Sequence, residues 1–165
     1  MRKKIIYLAG GCFWGIQGYF DLLKGVIQSQ VGYANSKIPN PSYTMVCSEQ
    51  TAAVETLELI FDEEILSLEE ILKRFFSIID PFSLNSQGND FGSQYRSGIY
   101  VRDSEMLPFI NDFITNLQKH YPKPIVTEVK LLENFYPAEA CHQKYLEKNP
   151  HGYCHIDLSG ALREI

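Results

Sequence analysis

The chain has 165 residues, 45% of them hydrophobic and 21% charged, which is the size and composition of one globular domain with a single core. The formal net charge is −5, and no stripe of Lys or Arg is present that could neutralise phosphates, which argues against nucleic acid as a partner. The apolar run after residues 2–4 is interrupted by glycines and too short to span a bilayer, so we expect neither a membrane anchor nor export. Four cysteines without a signal peptide favour a reducing cytoplasm, where cysteines are catalytic, metal-binding or buried.

The first half of the chain is predicted to alternate strands with helices, judged from the spacing of its apolar residues. The predicted elements are a strand at residues 5–9, a helix carrying Phe13, Ile16, Phe20 and Leu23, a strand at residues 28–33, a loop at IPNPSY and a strand at residues 52–62. Gly10 and Gly11 free the backbone to turn between the first strand and the first helix. Cys12 therefore lies where that strand passes into that helix.

The second half begins with a helix that has a start signal and a stop signal. Ser67 and Glu70 form a capping box, and Asp80-Pro81 ends the helix. The polar segment at residues 82–97 has neither helical nor strand period, so we predict a long loop, of the kind that is often functional. The elements after it are a strand at residues 98–101, a helix at residues 104–120, a strand at residues 125–132, a helix at residues 137–146 and an irregular C-terminal tail.

These elements predict an α+β fold, and no linker or repeat divides the chain. We expect one catalytic domain over residues 1–165, built as a two-layer α/β sandwich with a mixed sheet and a ferredoxin-like core. Long irregular loops and the tail complete it.

Cys12 is the first candidate for a reactive group. A cysteine in the first turn of a helix faces free backbone N–H groups and the positive end of the helix dipole, which favour the thiolate and lower the thiol pKa. An isolated cysteine is usually an inert core residue, but here Gly11 and Gly15 leave room for close approach. Phe13 and Trp14 are consecutive and cannot both face the core from one helix. We therefore predict a reactive thiol with at least one aromatic ring beside it.

Glu55 is the second candidate. In the third predicted strand it is in phase with Leu57 and Leu59, on the more apolar face. Burial raises the pKa of a carboxyl group, and a carboxylic acid that stays protonated near neutral pH can act as a general acid. The pattern equally allows Glu55 to face water at a frayed strand end. Glu58, on the other face, is predicted to be an ordinary solvated carboxylate.

Three polar residues of the predicted loops are further candidates. The hydroxyls of Tyr43 and Tyr95 and the carboxylate of Asp90 either converge on a polar substrate atom or contribute only ordinary loop polarity. Context outside the loops is needed to decide between these two interpretations.

Two Cys-His pairs, Cys141-His142 and Cys154-His155, have a superficial likeness to zinc ligands. Neither is a CxxC, and neighbours on a helix point roughly 100° apart. We therefore predict no metal site and expect His142 to be a hydrogen-bonded structural residue.

Five stretches of the chain together resemble a known family. They are GCFWG at residues 11–15, NPSYTMVCS, QGNDFGSQYRS, PAEACHQKYL and GYCHIDL, in this order over nearly the whole chain. The pattern is similar to that of the peptide methionine sulfoxide reductases of the A type. Five ordered motifs are a specific signal, whereas GCFWG alone is suggestive.

The resemblance implies an enzyme that reduces the S epimer of methionine sulfoxide, free or in oxidised proteins. It makes Cys12 the nucleophile, whose attack on the sulfoxide sulfur releases methionine and leaves a cysteine sulfenic acid. Phe13 and Trp14 become the pocket for the S-methyl group of the substrate. The groups around the sulfoxide oxygen are implied to be Tyr43, Glu55 and Tyr95, with Asp90 supporting them by hydrogen bonds.

The resemblance also implies how the nucleophile is regenerated. Cys154 matches the GYC motif and becomes the resolving cysteine, with thioredoxin, or dithiothreitol in vitro, as the reductant and no bound cofactor. Many members of the family carry another cysteine in a glycine-rich tail beyond this motif, whereas this chain ends CHIDLSGALREI. A direct disulfide between Cys12 and Cys154 is therefore favoured, in a protein that we expect to be a monomer.

Three positions depart from the family pattern or carry further cysteines. Ala53 stands in TAAVE where relatives commonly have histidine. Cys141 stands where tyrosine is usual, and is either a core filler or an alternative redox partner. Cys47 is taken as structural.

Two other functions stay open at this point. One is a different thiol chemistry, a peroxidase or an amidase with His142 as its base. The other is a domain that binds a sulfoxide or another protein without turnover, against which the intact Cys12 and Glu55 argue.

Overall fold

The computed structural model describes residues 1–164, and each structural statement below refers to these residues. The strands are β1 (Lys3–Ala9), β2 (Val26–Ala34), β3 (Val54–Asp62), β4 (Ser86–Gln87), β5 (Asp90–Phe91), β6 (Gly98–Val101), β7 (Glu128–Leu131) and β8 (Phe135–Pro137). The α-helices are α1 (Phe13–Phe20), α2 (Tyr43–Cys47), α3 (Leu68–Ile78), α4 (Leu107–Gln118) and α5 (Tyr145–Lys148). Single 3₁₀ turns cover Ser93–Tyr95, Ser104–Met106, Ala140–His142 and Leu158–Leu162.

Six strands form one mixed sheet in the order β7-β6-β1-β3-β2-β8. Only the edge pair of β6 and β7 is parallel, and the other pairs are antiparallel. The central four strands, with α1 between β1 and β2 and α3 between β3 and β6, have the split β-α-β arrangement of a ferredoxin-like core. The predicted fold class is confirmed, and β4 and β5 form a separate small hairpin.

The helices α1, α3 and α4 cover one face of the sheet and share one core with it. Residues of β3 alternate between this face and the other one, so that Leu57, Leu59 and Phe61 are fully buried in the same core as Phe20 and Phe75. The opposite face carries only a smaller buried cluster around Tyr7 and Tyr100. The architecture therefore has two layers, as predicted. No helix among residues 1–164 is long and apolar enough to cross a membrane.

Helix α3 begins at the cap that the sequence predicts. The hydroxyl of Ser67 accepts the backbone N–H of Glu70 at 3.1 Å, which is the predicted cap. Inside the helix lies Arg74, a cation only 6% exposed. Its guanidinium donates to the carbonyl oxygens of Ala161 and Arg163 at 3.4 and 2.7 Å, so the helix holds the C-terminal tail against the domain.

The helix predicted at residues 137–146 is wrong. Pro137 ends β8, which pairs with β2, and the following segment contains only a 3₁₀ turn before α5. The side-chain amide of Gln143 exchanges hydrogen bonds with the backbone of Val31, donating at 2.8 Å and accepting at 2.9 Å. Lys144 has a φ of +54°, which no α-helix contains. The segment is thus fixed by bonds to the edge of the sheet, at the expense of its own helical bonds.

Three smaller predictions also need correction. Tyr43 was predicted in a loop but begins α2, which Ser42 caps by accepting from the Met45 N–H at 3.2 Å. The long loop at residues 82–97 contains the hairpin of β4 and β5 and a 3₁₀ turn that ends at Tyr95. Glu58 is not freely solvated, because it accepts hydrogen bonds from two neighbouring strands.

Candidate active site

Cys12 is the residue that caps the N-terminus of α1, with an extended backbone of φ −59° and ψ 125°. Gly11 before it has a φ of +82°, a conformation that side chains disfavour, so a glycine is required to turn the chain from β1 into α1. The Gly11 N–H donates to the carbonyl of Tyr95 at 3.2 Å and so ties this turn to the loop that holds Tyr95. The predicted position of Cys12 at the start of a helix is confirmed.

The thiol of Cys12 is only 7% exposed. Burial raises its pKa far above the ordinary value, and the neighbouring charges of Glu55 and Asp90 raise it further. The backbone N–H of Trp14 acts in the opposite direction but is outweighed. The start of the helix thus lowers this pKa as expected, but burial outweighs it, so the predicted net lowering is not found and Cys12 is a thiol in the free protein.

Glu55 lies on β3, directly below the start of α1, and is 1% exposed. Its Oε1 accepts the backbone N–H of Phe13 at 3.2 Å, whereas its buried Oε2 has no hydrogen-bond partner. Burial raises the pKa of this carboxyl to about 8, against the lowering effect of the Phe13 N–H. Of the two placements that the sequence left open, the buried one is found, and the carboxyl group holds its proton at neutral pH.

Phe13 and Trp14 are consecutive in the helix, so their side chains point in different directions and have different contacts. Phe13 is buried in the core, with its ring 5.8 Å from that of Tyr33. Trp14 is only partly buried and stacks on Tyr145 at 3.8 Å between ring centroids. Its indole N–H donates to Nδ1 of His142 at 3.1 Å. The half-exposed ring is thereby fixed as a rigid wall beside Cys12.

His142 is the hydrogen-bonded structural residue that was predicted, although it lies in a 3₁₀ turn and not in a helix. Its ring also packs against that of Tyr43, with centroids 4.5 Å apart. Burial lowers its pKa, and its Nδ1 is occupied by Trp14. This arrangement makes it an unsuitable base for a peroxidase or an amidase.

Tyr43 and Tyr95 come from separate segments and face the same space. Burial raises the pKa of both hydroxyls, and for each of them the charge of Glu55 is the next cause. Both hydroxyls are therefore near enough to Glu55 to feel its charge. The grouping of Tyr43, Glu55 and Tyr95 around a sulfoxide oxygen, which the resemblance implies, stays a prediction.

Asp90, at the start of β5, has different partners from those expected. Its Oδ2 accepts the hydroxyl of Tyr153 at 3.2 Å and lies 3.9 Å from Nδ1 of His155. Within residues 1–164 it makes no hydrogen bond to Tyr43 or Tyr95. Asp90 therefore connects the site with the C-terminal tail, and the expectation that it supports the two tyrosines by hydrogen bonds is wrong.

Cys154 is already packed beside α1 in this structure. A side-chain carbon placed on Gly15 would lie 3.2 Å from its sulfur, and the thiol donates to the carbonyl of Ile156 at 3.2 Å. Burial raises its pKa. Since Gly15 is three residues after Cys12, the tail holds the second thiol next to the first helical turn.

The other two cysteines are exposed and unpaired in the described part of the chain. The exposure of Cys141 contradicts the interpretation that it fills space in the core. Cys47, on α2, has its pKa raised by burial of its sulfur, opposed by Tyr43 and Gln94. No group of three or more His, Cys, Asp or Glu in residues 1–164 is arranged to hold a metal ion.

The sequence analysis did not single out Glu139, which forms hydrogen bonds with Tyr33 and Tyr43. Its two carboxylate oxygens accept the hydroxyl of Tyr33 at 2.8 Å and the backbone N–H of Tyr43 at 3.0 Å. It also missed Tyr145 and Tyr153, which contact Trp14 and Asp90. All three lie inside the motifs PAEACHQKYL and GYCHIDL, so the motifs themselves were the signal.

Comparisons with known proteins give the family of the chain. The family model described as "Peptide methionine sulfoxide reductase" matches residues 4–165. "Peptide methionine sulfoxide reductase MsrA" from Malacoplasma penetrans is 58% identical over 158 residues, which are 96% of this chain and 98% of that protein.

Solved structures of a yeast protein share the fold. Mxr1 from Saccharomyces cerevisiae in reduced form has a TM-score of 0.87 at 37% identity, covering 93% of this chain and 89% of that one. Mxr1 in complex with Trx2 has a TM-score of 0.62 at 25% identity, covering 87% and 85%. With a family match over nearly its entire length and relatives more than half identical, the chain belongs to the peptide methionine sulfoxide reductase family.

Proposed function

We propose that this chain reduces the S epimer of methionine sulfoxide, with Cys12 as the nucleophile and Glu55 as the acid that protonates the sulfoxide oxygen. The observation that carries this proposal is the unpartnered Oε2 of Glu55, buried beside Cys12 and two tyrosine hydroxyls. A polar atom so buried is normally hydrogen-bonded, and a substrate oxygen supplies the missing partner.

The first step uses the proton that Glu55 holds at neutral pH. A sulfoxide sulfur becomes electrophilic when its oxygen is protonated or strongly hydrogen-bonded, and the hydroxyls of Tyr43 and Tyr95 add hydrogen bonds to that oxygen. While Glu55 is protonated it also places no negative charge beside Cys12, which removes one of the causes that raise the thiol pKa. The protonated state of Glu55 and the thiolate state of Cys12 thus favour each other.

The sulfur of Cys12 then attacks the sulfoxide sulfur, and the oxygen passes to Cys12 as a sulfenic acid while methionine leaves. The substrate sulfur is reduced by two electrons, and Cys12 is oxidised by two. Phe13 and Trp14 hold the S-methyl group, and the fixed geometry of the Trp14 ring makes this contact rigid.

Cys154 begins the regeneration of the Cys12 thiol, because it packs beside the first turn of α1. Its thiol attacks the sulfenic acid of Cys12, forming a disulfide and releasing water. Thioredoxin, or dithiothreitol in vitro, then reduces the disulfide. The solved complex of yeast Mxr1 with Trx2 supports a thioredoxin as the reductant.

The remaining assignments extend this proposal. The substrate is methionine sulfoxide, free or within oxidised proteins, and Asp90 contributes to the site through the tail that it binds. We expect a monomer that works in the reducing cytoplasm, because the catalytic cycle passes through free thiols.

Substrate turnover tests the proposal. Reduction of the S epimer but not the R epimer, with dithiothreitol as the reductant, is expected of the wild-type protein and should disappear in Cys12→Ser. Cys47→Ser serves as the matched control, since it removes an exposed thiol near the site and should leave the turnover unchanged. Sulfoxide reduction by folded Cys12→Ser, or hydrogen peroxide as the preferred substrate of the wild type, contradicts the proposal.

A further inference from the structure

His155 is a buried titratable residue for which the reaction above has no role. Its side chain is only 9% exposed, yet neither Nδ1 nor Nε2 makes a hydrogen bond of standard geometry among residues 1–164; the backbone of Gly10 lies close enough to raise its pKa. Buried polar groups are nearly always paired, and a buried imidazole without a partner is unusual in a purely structural position. The residue directly follows Cys154.

The imidazole of His155 lies against Gly11, and the sulfur of Cys154 lies against Gly15. A side-chain carbon placed on Gly11 would lie 2.9 Å from Cε1 and Nε2 of His155, whereas one placed on Gly15 would lie 3.2 Å from the Cys154 sulfur. These two glycines flank Cys12 in sequence. The tail therefore brings a thiol and an imidazole together against the turn that carries the nucleophile.

The other ring nitrogen of His155 faces a carboxylate. Nδ1 lies 3.9 Å from Oδ2 of Asp90, which is itself held by the hydroxyl of Tyr153. A carboxylate on this side favours the tautomer that carries its proton on Nδ1 and leaves Nε2 for proton transfer, an order of groups that also occurs in hydrolases with a nucleophile, a histidine and an acid.

We propose that His155 is the general acid and base of the second half-reaction, in which Cys154 resolves the sulfenic acid of Cys12. Nε2 takes the proton of the Cys154 thiol while its sulfur bonds to the sulfur of Cys12. The S–O bond of the sulfenic acid breaks, and the proton passes from His155 to the departing hydroxide. One S–H and one S–OH thus become one S–S bond and water, with Asp90 orienting the imidazole.

The surroundings of His155 suit an imidazole that begins this step without a proton. Burial lowers its pKa, and Asp90 and the backbone of Gly10 oppose that shift. The ring borders a cavity of about 410 Å³, whose charged lining residues are all on the tail: Asp157, Arg163 and Glu164. Asp90 is the ionisable group on the Nδ1 side of the ring.

This inference rests on the proposed function, since it requires a sulfenic acid on Cys12. The two can be tested separately by following methionine release and disulfide formation in a single turnover. The sulfenic acid is trapped with dimedone, and both cysteines are identified by peptide mass mapping.

In His155→Asn we expect methionine release at the wild-type rate, accumulation of dimedone-reactive Cys12 and disulfide formation slowed by about a hundredfold. The wild-type rate of disulfide formation should level off with rising pH once the imidazole is neutral, whereas the variant should lack this step. In His155→Ala, added imidazole should restore part of the rate. His151→Asn, an exposed histidine of the same tail, is the control and should behave as wild type.

Three results would overturn the role of His155. They are disulfide formation at the wild-type rate in His155→Asn, an equal loss in both half-reactions, and a rate in His155→Ala that imidazole does not change. Absence of methionine release from the wild type would instead refute the proposed function.

Discussion

Replacing Glu55 by glutamine tests both the burial of this carboxyl group and its role as the acid. The amide has the same shape, and its Oε1 can still accept the N–H of Phe13 that Glu55 accepts at 3.2 Å. The second polar atom remains buried without a partner in both proteins. The main difference between them is that the carboxyl group can lose a proton and the amide cannot.

The size of the effect on stability follows from the pKa. The carboxyl pKa is raised from 4.5 to about 8 in the folded protein, and each pKa unit corresponds to about 1.4 kcal/mol. Between these two values the folded state holds a proton that the unfolded state has lost. Rising pH therefore lowers the free energy of unfolding of the wild type, by an upper bound of roughly 5 kcal/mol once the pH exceeds 8.

Urea unfolding at pH 5, 7 and 9 measures this difference. We expect Glu55→Gln and wild type to be close in stability at pH 5 and the variant to gain steadily as the pH rises. Turnover should fall at least about a hundredfold in the variant because the proton donor is gone. In the wild type, loss of the Glu55 proton should reduce turnover as the pH passes about 8.

Glu58→Gln is the matched control for turnover, since it removes a carboxylate from the opposite face of the same strand. It should keep the wild-type rate. A stability difference between Glu55→Gln and wild type that stays constant from pH 5 to pH 9 would show that burial does not hold the proton on Glu55. A near-wild-type rate would move the acid to another residue.

Three further substitutions test the C-terminal tail and one residue that holds Tyr43 in the site. Cys154→Ser should release one methionine per chain but lose thioredoxin-supported cycling; undiminished cycling would assign resolution to Cys141 or an external thiol. Arg74→Met removes the donor to the tail carbonyls, so we expect faster proteolysis of the tail and about 2 kcal/mol lower stability, measured by limited digestion and urea unfolding. Glu139→Ala removes the acceptor of the Tyr43 N–H and should raise KM about tenfold; an unchanged KM would show that Tyr43 is held without it.

Predictions of the fold succeeded where local signals and tertiary packing agree. The cap at Ser67 and the apolar period after it give α3 within one residue, and the strand at residues 98–101 is predicted with its observed bounds. The predicted helix at residues 137–146 failed because its stabilising partner lies far away in sequence. Gln143 bonds to Val31, 112 residues earlier, and no local period records that contact.

In the candidate site, too, local sequence signals predicted some features, and contacts distant in sequence decided the others. The turn at Gly11 follows from glycine placement and is found, whereas strand alternation left burial and exposure of Glu55 open, and the structure shows burial. The partners of Asp90 could not be derived, since Tyr153 lies 63 residues away in a segment without periodicity. The raised thiol pKa of Cys12 was also missed, because the helix start is visible in the sequence while the depth of burial is not.

Strand alternation puts Glu55 on the more apolar face, but it does not predict that one of its two oxygens stays open. That asymmetry depends on where α1 begins, since the N–H of Phe13 bonds Oε1 and no other described residue bonds Oε2. Had the turn at Gly11 brought a second N–H to the carboxyl group, the added hydrogen bond would have stabilised the carboxylate and lowered its pKa. One hydrogen bond leaves the proton on Glu55 at neutral pH and leaves Oε2 free to face a substrate oxygen. The chemistry that we propose at Cys12 therefore depends on a backbone turn that supplies one donor to Glu55.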